Sequence, residues 1–218
     1  MREEYRAELA DVTQTLVAMA EGVRGAMRRA SAALLSVDAT DAEEVVLADA
    51  ETDALYHQVE EKVYDLLARQ APVASDLRLV VTALHIGADL ERMGDLASHV
   101  AKVALRRVPT CAVPEELRPV IADMAATADG IAGKVAEVLR TADAARAAEL
   151  ERDDDEMDEL LKQLYGLMLG TAWRHGVEPA VDGALLGRWY ERYADHAVNA
   201  GQSVLYLVTG GTAAPAAS

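Results

Sequence analysis

Residues 89–100 read DLERMGDLASHV. Glu91, Asp95 and His99 follow one another at intervals of four. Side chains four apart are neighbours on a helix surface, where like charges repel. Around the acids stand Ala88, Leu90, Met93, Gly94, Leu96 and Ala97, an apolar, small-residue setting. Gly94 and Ala97 let another backbone come close, so this stretch reads as a packed helix rather than a solvated face. Partly buried carboxylates that face one another either take up protons or bind a cation.

The pattern occurs twice. ADLERMGDLASHVAKVAL at 88–105 matches GRWYERYADHAVNAGQSVL at 187–205, aligning Glu91, Asp95 and His99 with Glu191, Asp195 and Asn199. Upstream, DAETDALYHQV from Asp49 matches DDEMDELLKQL from Asp154, aligning Asp49 and Asp53 with Asp154 and Asp158. The first alignment has an offset of 100 and the second of 105, which places the shortening of the second copy in the turn between its later helices. Each half is then a three-helix unit whose second and third helices carry carboxylates at i, i+4.

The rest of the chain agrees with an all-α fold. Helical periodicity places helices near 3–36, 42–69, 75–107, 115–141, 145–174 and 183–209, with prolines near their ends and no alternating strand pattern. Asp41 and Ser75 read as N-caps of the second and third helices. The segment VPTCAVPEE around Cys111 is the linker between a first repeat, 1–108, and a second, 115–210. The small polar residues 211–218 read as a disordered tail. With 51% apolar residues, 4% aromatics and no Phe, the core must be Ala, Leu, Val and Met; the methionines read as core filler.

Charge narrows the partners. A formal net charge of -16, from 37 acidic against 21 basic residues, repels phosphate backbones and anionic headgroups. Nucleic acid and direct membrane insertion are therefore not expected, and cations or basic patches on proteins are. One cysteine excludes an internal disulfide, and no signal peptide or apolar run of spanning length is evident, so a cytoplasmic protein is expected.

The acid pairs are the candidate site. Two helices per half offer about four oxygen donors, which suit magnesium, calcium, manganese or iron, with His99 tilting the first set toward a transition metal such as zinc or iron. His57, His85 and His175 have no spaced partner, and His196 points away from the adjacent Asp195. Of the acidic run at 151–159, only Asp154 and Asp158 are supported by the repeat; the other acids read as surface. No phosphate loop, nucleophile elbow or Cys–His pairing is present, so no catalytic residue is assigned. A di-iron or di-manganese carboxylate oxidase on a helical bundle is the rival class. Its Glu-x-x-His signature is missing at all five histidines.

The doubled three-helix repeat, LERMGDLASHVAK and YERYADHAVNAGQSVLYLVTG together resemble the PhoU family of phosphate-uptake regulators over nearly the whole chain. The connector QAPVASDLRLVVTALHI is also similar. The resemblance implies two three-helix bundles with metal clusters on E(D)xxxD pairs, here Glu91/Asp95 and Glu191/Asp195, with Asp49/Asp53 and Asp154/Asp158 on the partner helices. The first repeat departs from the family at His99, where Asn or Asp is usual. By resemblance the protein is a non-enzymatic negative regulator of phosphate uptake and starvation signalling. The implied partners are the ATPase subunit of the phosphate ABC transporter, the membrane sensor histidine kinase of the phosphate two-component system, and a second copy in a homodimer.

Overall fold

A computed structural model describes residues 2–209; the expected disordered tail at 211–218 lies outside the described residues. Six α-helices account for almost all of it: α1 (Arg2–Ser36), α2 (Ala39–Gln70), α3 (Ser75–Arg107), α4 (Arg118–Thr141), α5 (Ala144–Leu169) and α6 (Val177–Thr209), with a 3-10 turn at Glu115–Leu117 before α4. No strand occurs among the described residues, as the helical periodicity requires.

Helices α1, α2 and α3 pack on one another, as do α4, α5 and α6; the two sets meet through α1 against α4 and α3 against α6. The buried rows follow helical spacing. In α1 they are Val12, Leu16, Met19, Val23, Met27, Ala30 and Leu34; in α3, Leu90, Met93, Ala97, Val100 and Ala104. Met19, Met27, Met93, Met124, Met157 and Met168 are all buried, as filler for a core without Phe. Two large polar-tipped rings complete it. Tyr190 and Tyr193 of α6 are fully buried, and each phenol has a partner on α1: Ser31 Oγ at 2.6 Å and the Val23 carbonyl at 3.1 Å. Burial pushes the Tyr190 phenol up to about 12 and the Tyr193 phenol higher still.

Where α1 and α4 cross, Arg24 grips Asp129 with two hydrogen bonds of 2.9 and 2.8 Å. Asp129 lies 105 residues after Arg24, so the two occupy equivalent places in the repeat. The same offset relates Arg29, which pairs with Glu44, to Lys134, which pairs with Glu149.

Four local expectations change. Asp38, not Asp41, caps α2, accepting from the Asp41 amide at 3.1 Å. Ala74 occupies the N-cap place of α3 without a side-chain bond, and Ser75 is already helical. Helix α5 stops at Leu169 rather than near 174, because Gly170 turns extended and Gly176 takes a positive φ of 80°. Trp173 closes this turn through Nε1 to the Gly176 carbonyl at 2.8 Å. Helix α6 then begins at Val177 rather than near 183, with Pro179 in its first turn, where the missing donor costs nothing. As a result the turn 170–176 is longer than the turn 71–74; the residues missing from the second copy come out of the helices, chiefly the end of α5.

Candidate functional site

In the first half the acids line up between α2 and α3. Helix α2 comes so close at Gly94 that a Cβ there would lie 3.2 Å from Thr52 Cγ2 and 3.3 Å from Asp49 Oδ1. The small residue is what allows the two acid-bearing helices to face each other. Glu91 is raised above the usual carboxylate range, first by burial and then by Asp95, with Asp53 and Asp49 adding to it and Arg92 opposing. Asp49 is raised in the same way, by burial and by Asp95 and Asp53. The buried Ser98 hydroxyl beside Asp49, which has no hydrogen bond of normal geometry, pulls the other way, as does Lys102. Asp49, Asp53, Glu91 and Asp95 are thus one electrostatic group. Arg92 is its present counter-charge, 2.7 Å from Asp95 and 3.5 Å from Glu91.

The second half repeats this with different neighbours. Asp154 is pushed up to about 6 by burial and then by Asp195, Asp158 and Asp155. Glu191 is raised by burial, by Asp195, and by Asp158 and Asp154, with Arg188 opposing. Arg188 pairs with one oxygen of Glu191, while the other, Oε2, is buried without a partner. Asp154, Asp195 and Asn199 line one small depression together with Arg188, Arg192 and His196. Asn199 therefore lies at the edge of the second group.

His99 is not drawn to the first. Its exposed ring stacks on Trp189 of α6, centroids 5.2 Å apart and planes at 24°, and among the described residues it makes no ion pair with the acids. Ser98, one residue earlier, is the side chain beside Asp49. Helix geometry explains the difference. Each step of four overshoots a full turn by about 40°, so a 91–95–99 row has rotated by about 80° at its third member. Steps of four, three and four through residues 91, 95, 98 and 102 hold one face. That mixed spacing is the signal that would have picked out Ser98 and Lys102.

The other histidines have carboxylate partners or surface positions. His57 meets Glu60 at 3.1 Å, His175 meets Glu116 at 2.8 Å, and His196 meets Asp89 of α3 at 3.0 Å, a pair that joins the two halves. Sequence spacing gave no sign of that last pair, which depends on how α3 and α6 cross. Cys111 lies in the linker with Sγ 3.8 Å from the Leu34 carbonyl.

The donors present suit a hard cation in kind: oxygen-only sets, mutually repelling, with a buried unpartnered carboxylate oxygen on Glu191. Their present spacing is looser than a coordination shell. Among the described residues no three His, Cys, Asp or Glu side chains gather closely enough to hold an ion. The arginines at 92 and 188 take the place of one. No helix among the described residues is long and apolar enough to cross a membrane.

Comparison with known proteins follows the repeat. The family described as PhoU domain matches residues 16–104 and again residues 121–204. The phosphate-specific transport system accessory protein PhoU homolog 2 of Mycobacterium tuberculosis is 42% identical over 211 residues, covering 96% of this chain and 99% of that protein. PhoU homolog 1 of the same organism is 42% identical over 210 residues, covering 96% and 95%. The crystal structure of PhoU from Pseudomonas aeruginosa superposes with a TM-score of 0.86 at 28% identity, covering 95% of this chain and 100% of that one. With the domain matched in both halves and relatives aligned almost end to end, the chain belongs to the PhoU family.

Proposed function

We propose that this chain is a regulatory accessory protein of phosphate transport, which restrains phosphate uptake and starvation signalling when phosphate is plentiful. The observation that carries this reading is the near end-to-end match to proteins named phosphate-specific transport system accessory proteins. It acts as a helical adaptor in the cytoplasm, as a homodimer, between the ATPase subunit of the phosphate transporter and the sensor histidine kinase. It performs no catalysis of its own. The oxidase alternative gains no support from a site of carboxylates alone.

The two acidic groups are the regulatory sites in this reading. Asp49, Asp53, Glu91 and Asp95 would hold a hard cation in the first half; Asp154, Asp158, Glu191 and Asp195, with Asn199 at the margin, would hold one in the second. His99 is left out of the set because it is engaged by Trp189. Iron, manganese and magnesium fit oxygen donors better than zinc does. A bound cation supplies the positive charge that relieves carboxylate repulsion, displacing Arg92 and Arg188 from that role.

The test is deletion of the gene, after any second protein of the same kind has been removed, with a phosphate-starvation reporter and phosphate uptake measured in abundant phosphate. Derepression of both is expected. Unchanged reporter activity and uptake would overturn the regulatory reading.

A further inference from the structure

Helices α3 and α6 cross antiparallel about an approximate two-fold axis that exchanges residues 100 apart. Contacts on one side of the crossing therefore have counterparts on the other, and the two sides differ. Where the end of α3 meets the start of α6, the sides are closed. Asp182, whose side chain is only 5% exposed, is held by Arg107 Nε at 2.6 Å and by Arg106 at 3.4 Å. Arg107 also pairs with Glu178, and His99 stacks on Trp189 beside them.

Where the start of α3 meets the end of α6, each member of that clasp is replaced. Arg78 stands for Glu178, Thr82 for Asp182, Tyr206 for Arg106 and Leu207 for Arg107. No ion pair can form there. A groove of about 970 Å³ stays open instead, lined on α3 by Leu77, Arg78, Val81 and His85, and on α6 by Gln202 and Tyr206 among others. Among the described residues Arg78 has no carboxylate partner; its guanidinium rests 5.2 Å from the centre of the Tyr206 ring. Leu77 and Val81, one helical turn apart, are 41% and 38% exposed. The groove has one carboxylate, Asp89, which His196 already holds at 3.0 Å. On a chain of net charge -16, this is a surface whose unmet needs are apolar contact and one negative charge.

We propose that this groove docks an amphipathic helical segment of a partner protein, its apolar face along Leu77 and Val81 and a carboxylate on Arg78. The trough runs from Ala74, at the N-cap of α3, to Asp89 on that helix, a length of about 22 Å at about 1.5 Å per residue, which accommodates roughly fifteen residues of helix. Apolar side chains at i and i+4 form the ridge into which a third helix packs. Such docking deepens the adaptor reading and rests on it, but needs neither metal nor a particular transporter.

The experiment uses the full chain with Leu and Val methyls isotopically labelled, and two synthetic sixteen-residue helical peptides sharing a leucine face, one flanked by Glu and one by Gln. The Glu peptide should shift the Leu77 and Val81 methyl signals at physiological salt. Arg78→Glu should weaken it by about tenfold and affect the Gln peptide much less. The milder Arg78→Gln, which keeps the side chain's bulk, should show an intermediate loss in a fold verified by unchanged core signals. Absence of shifts with both peptides, equal loss for both, or shifts mapping to Val177 and Val181 would overturn the proposal. So would a concentration-dependent dimer that Arg78→Glu dissolves, since the groove would then belong to a second copy. Because the gene-deletion phenotype is read separately, failure here with derepression intact sinks the groove and leaves the regulatory reading standing.

Discussion

Asp49 in the first acidic group is cushioned, and its counterpart Asp154 in the second is not. Asp49 and Asp154 are equivalent residues on equivalent helices, each facing a carboxylate pair on the next helix. Asp49 has the Ser98 hydroxyl and Lys102 at hand; in the second half these places are taken by Val198 and Gln202, and Gln202 turns to Glu151 at 3.3 Å. Asp154, raised by burial and by the like charges of Asp195, Asp158 and Asp155, is pushed up to about 6. A repeat can therefore preserve a set of carboxylates while its surroundings set two different costs for keeping the set charged.

The hardest blow to this comparison is removal of the acids themselves. Asp95→Asn and Asp195→Asn should each empty one half of bound metal, and the double variant should lose nearly all of it, as elemental analysis of tag-free protein would show. Chelation of the wild type should lower its melting temperature, with metal restoring it by mass action. Wild-type metal content in both single variants would mean the acid groups are solvated faces.

A subtler change keeps the fold and removes one charge. The folded pKa of Asp154, about 6, lies above the unfolded value of 3.8. Its penalty on the metal-free protein is thus absent below about pH 4, grows as pH rises toward 6, and is complete above that. Asp154→Asn should accordingly stabilise the metal-free protein by about 1–2 kcal/mol at pH 7, solvent screening part of the repulsion, and by nothing at pH 4. Asp49→Asn should give less. Equal gains, measured by denaturant melts at both pH values, would erase the distinction between the halves.

Exchanging the moderators sharpens the contrast further. Ser98→Val should raise the Asp49 pKa, and Val198→Ser should lower that of Asp154, each by about half a unit to one unit in carboxyl-carbon NMR titrations. The smallest effect concerns the internal counter-charges. Arg188→Gln should tighten metal in the second half by about two- to fivefold, because the ion no longer competes with a guanidinium for Glu191. A weaker metal site in that variant would make Arg188 a supporting residue instead of a competitor.

Much of the architecture was legible because the repeat carries it: six helices, carboxylates on the second and third of each trio, and a small residue where they approach. What escaped depended on angles and on tertiary pairing. The 91–95–99 row looked continuous in one dimension, yet a helix carries its third member off the face, which is why Ser98 rather than His99 stands beside Asp49. Pro179 looked like a barrier before α6 but lies harmlessly in its first turn, and Gly170, which ends α5, was not read as punctuation. Pairs such as His196 with Asp89 join residues more than a hundred positions apart, and no local pattern announces them.

The grip of Arg24 on Asp129 has a consequence for how the two halves recognise each other. At the centre of an approximate two-fold, equivalent residues meet, so two copies of the first half joined the same way would set arginine against arginine. Two copies of the second would set aspartate against aspartate. The pair thus polarises the shared face, favouring the unlike halves over either like pairing by about the worth of one part-exposed ion pair. Carrying one of each on a single polypeptide fixes their ratio at one to one, and it leaves each half free to diverge as the two acidic groups have done.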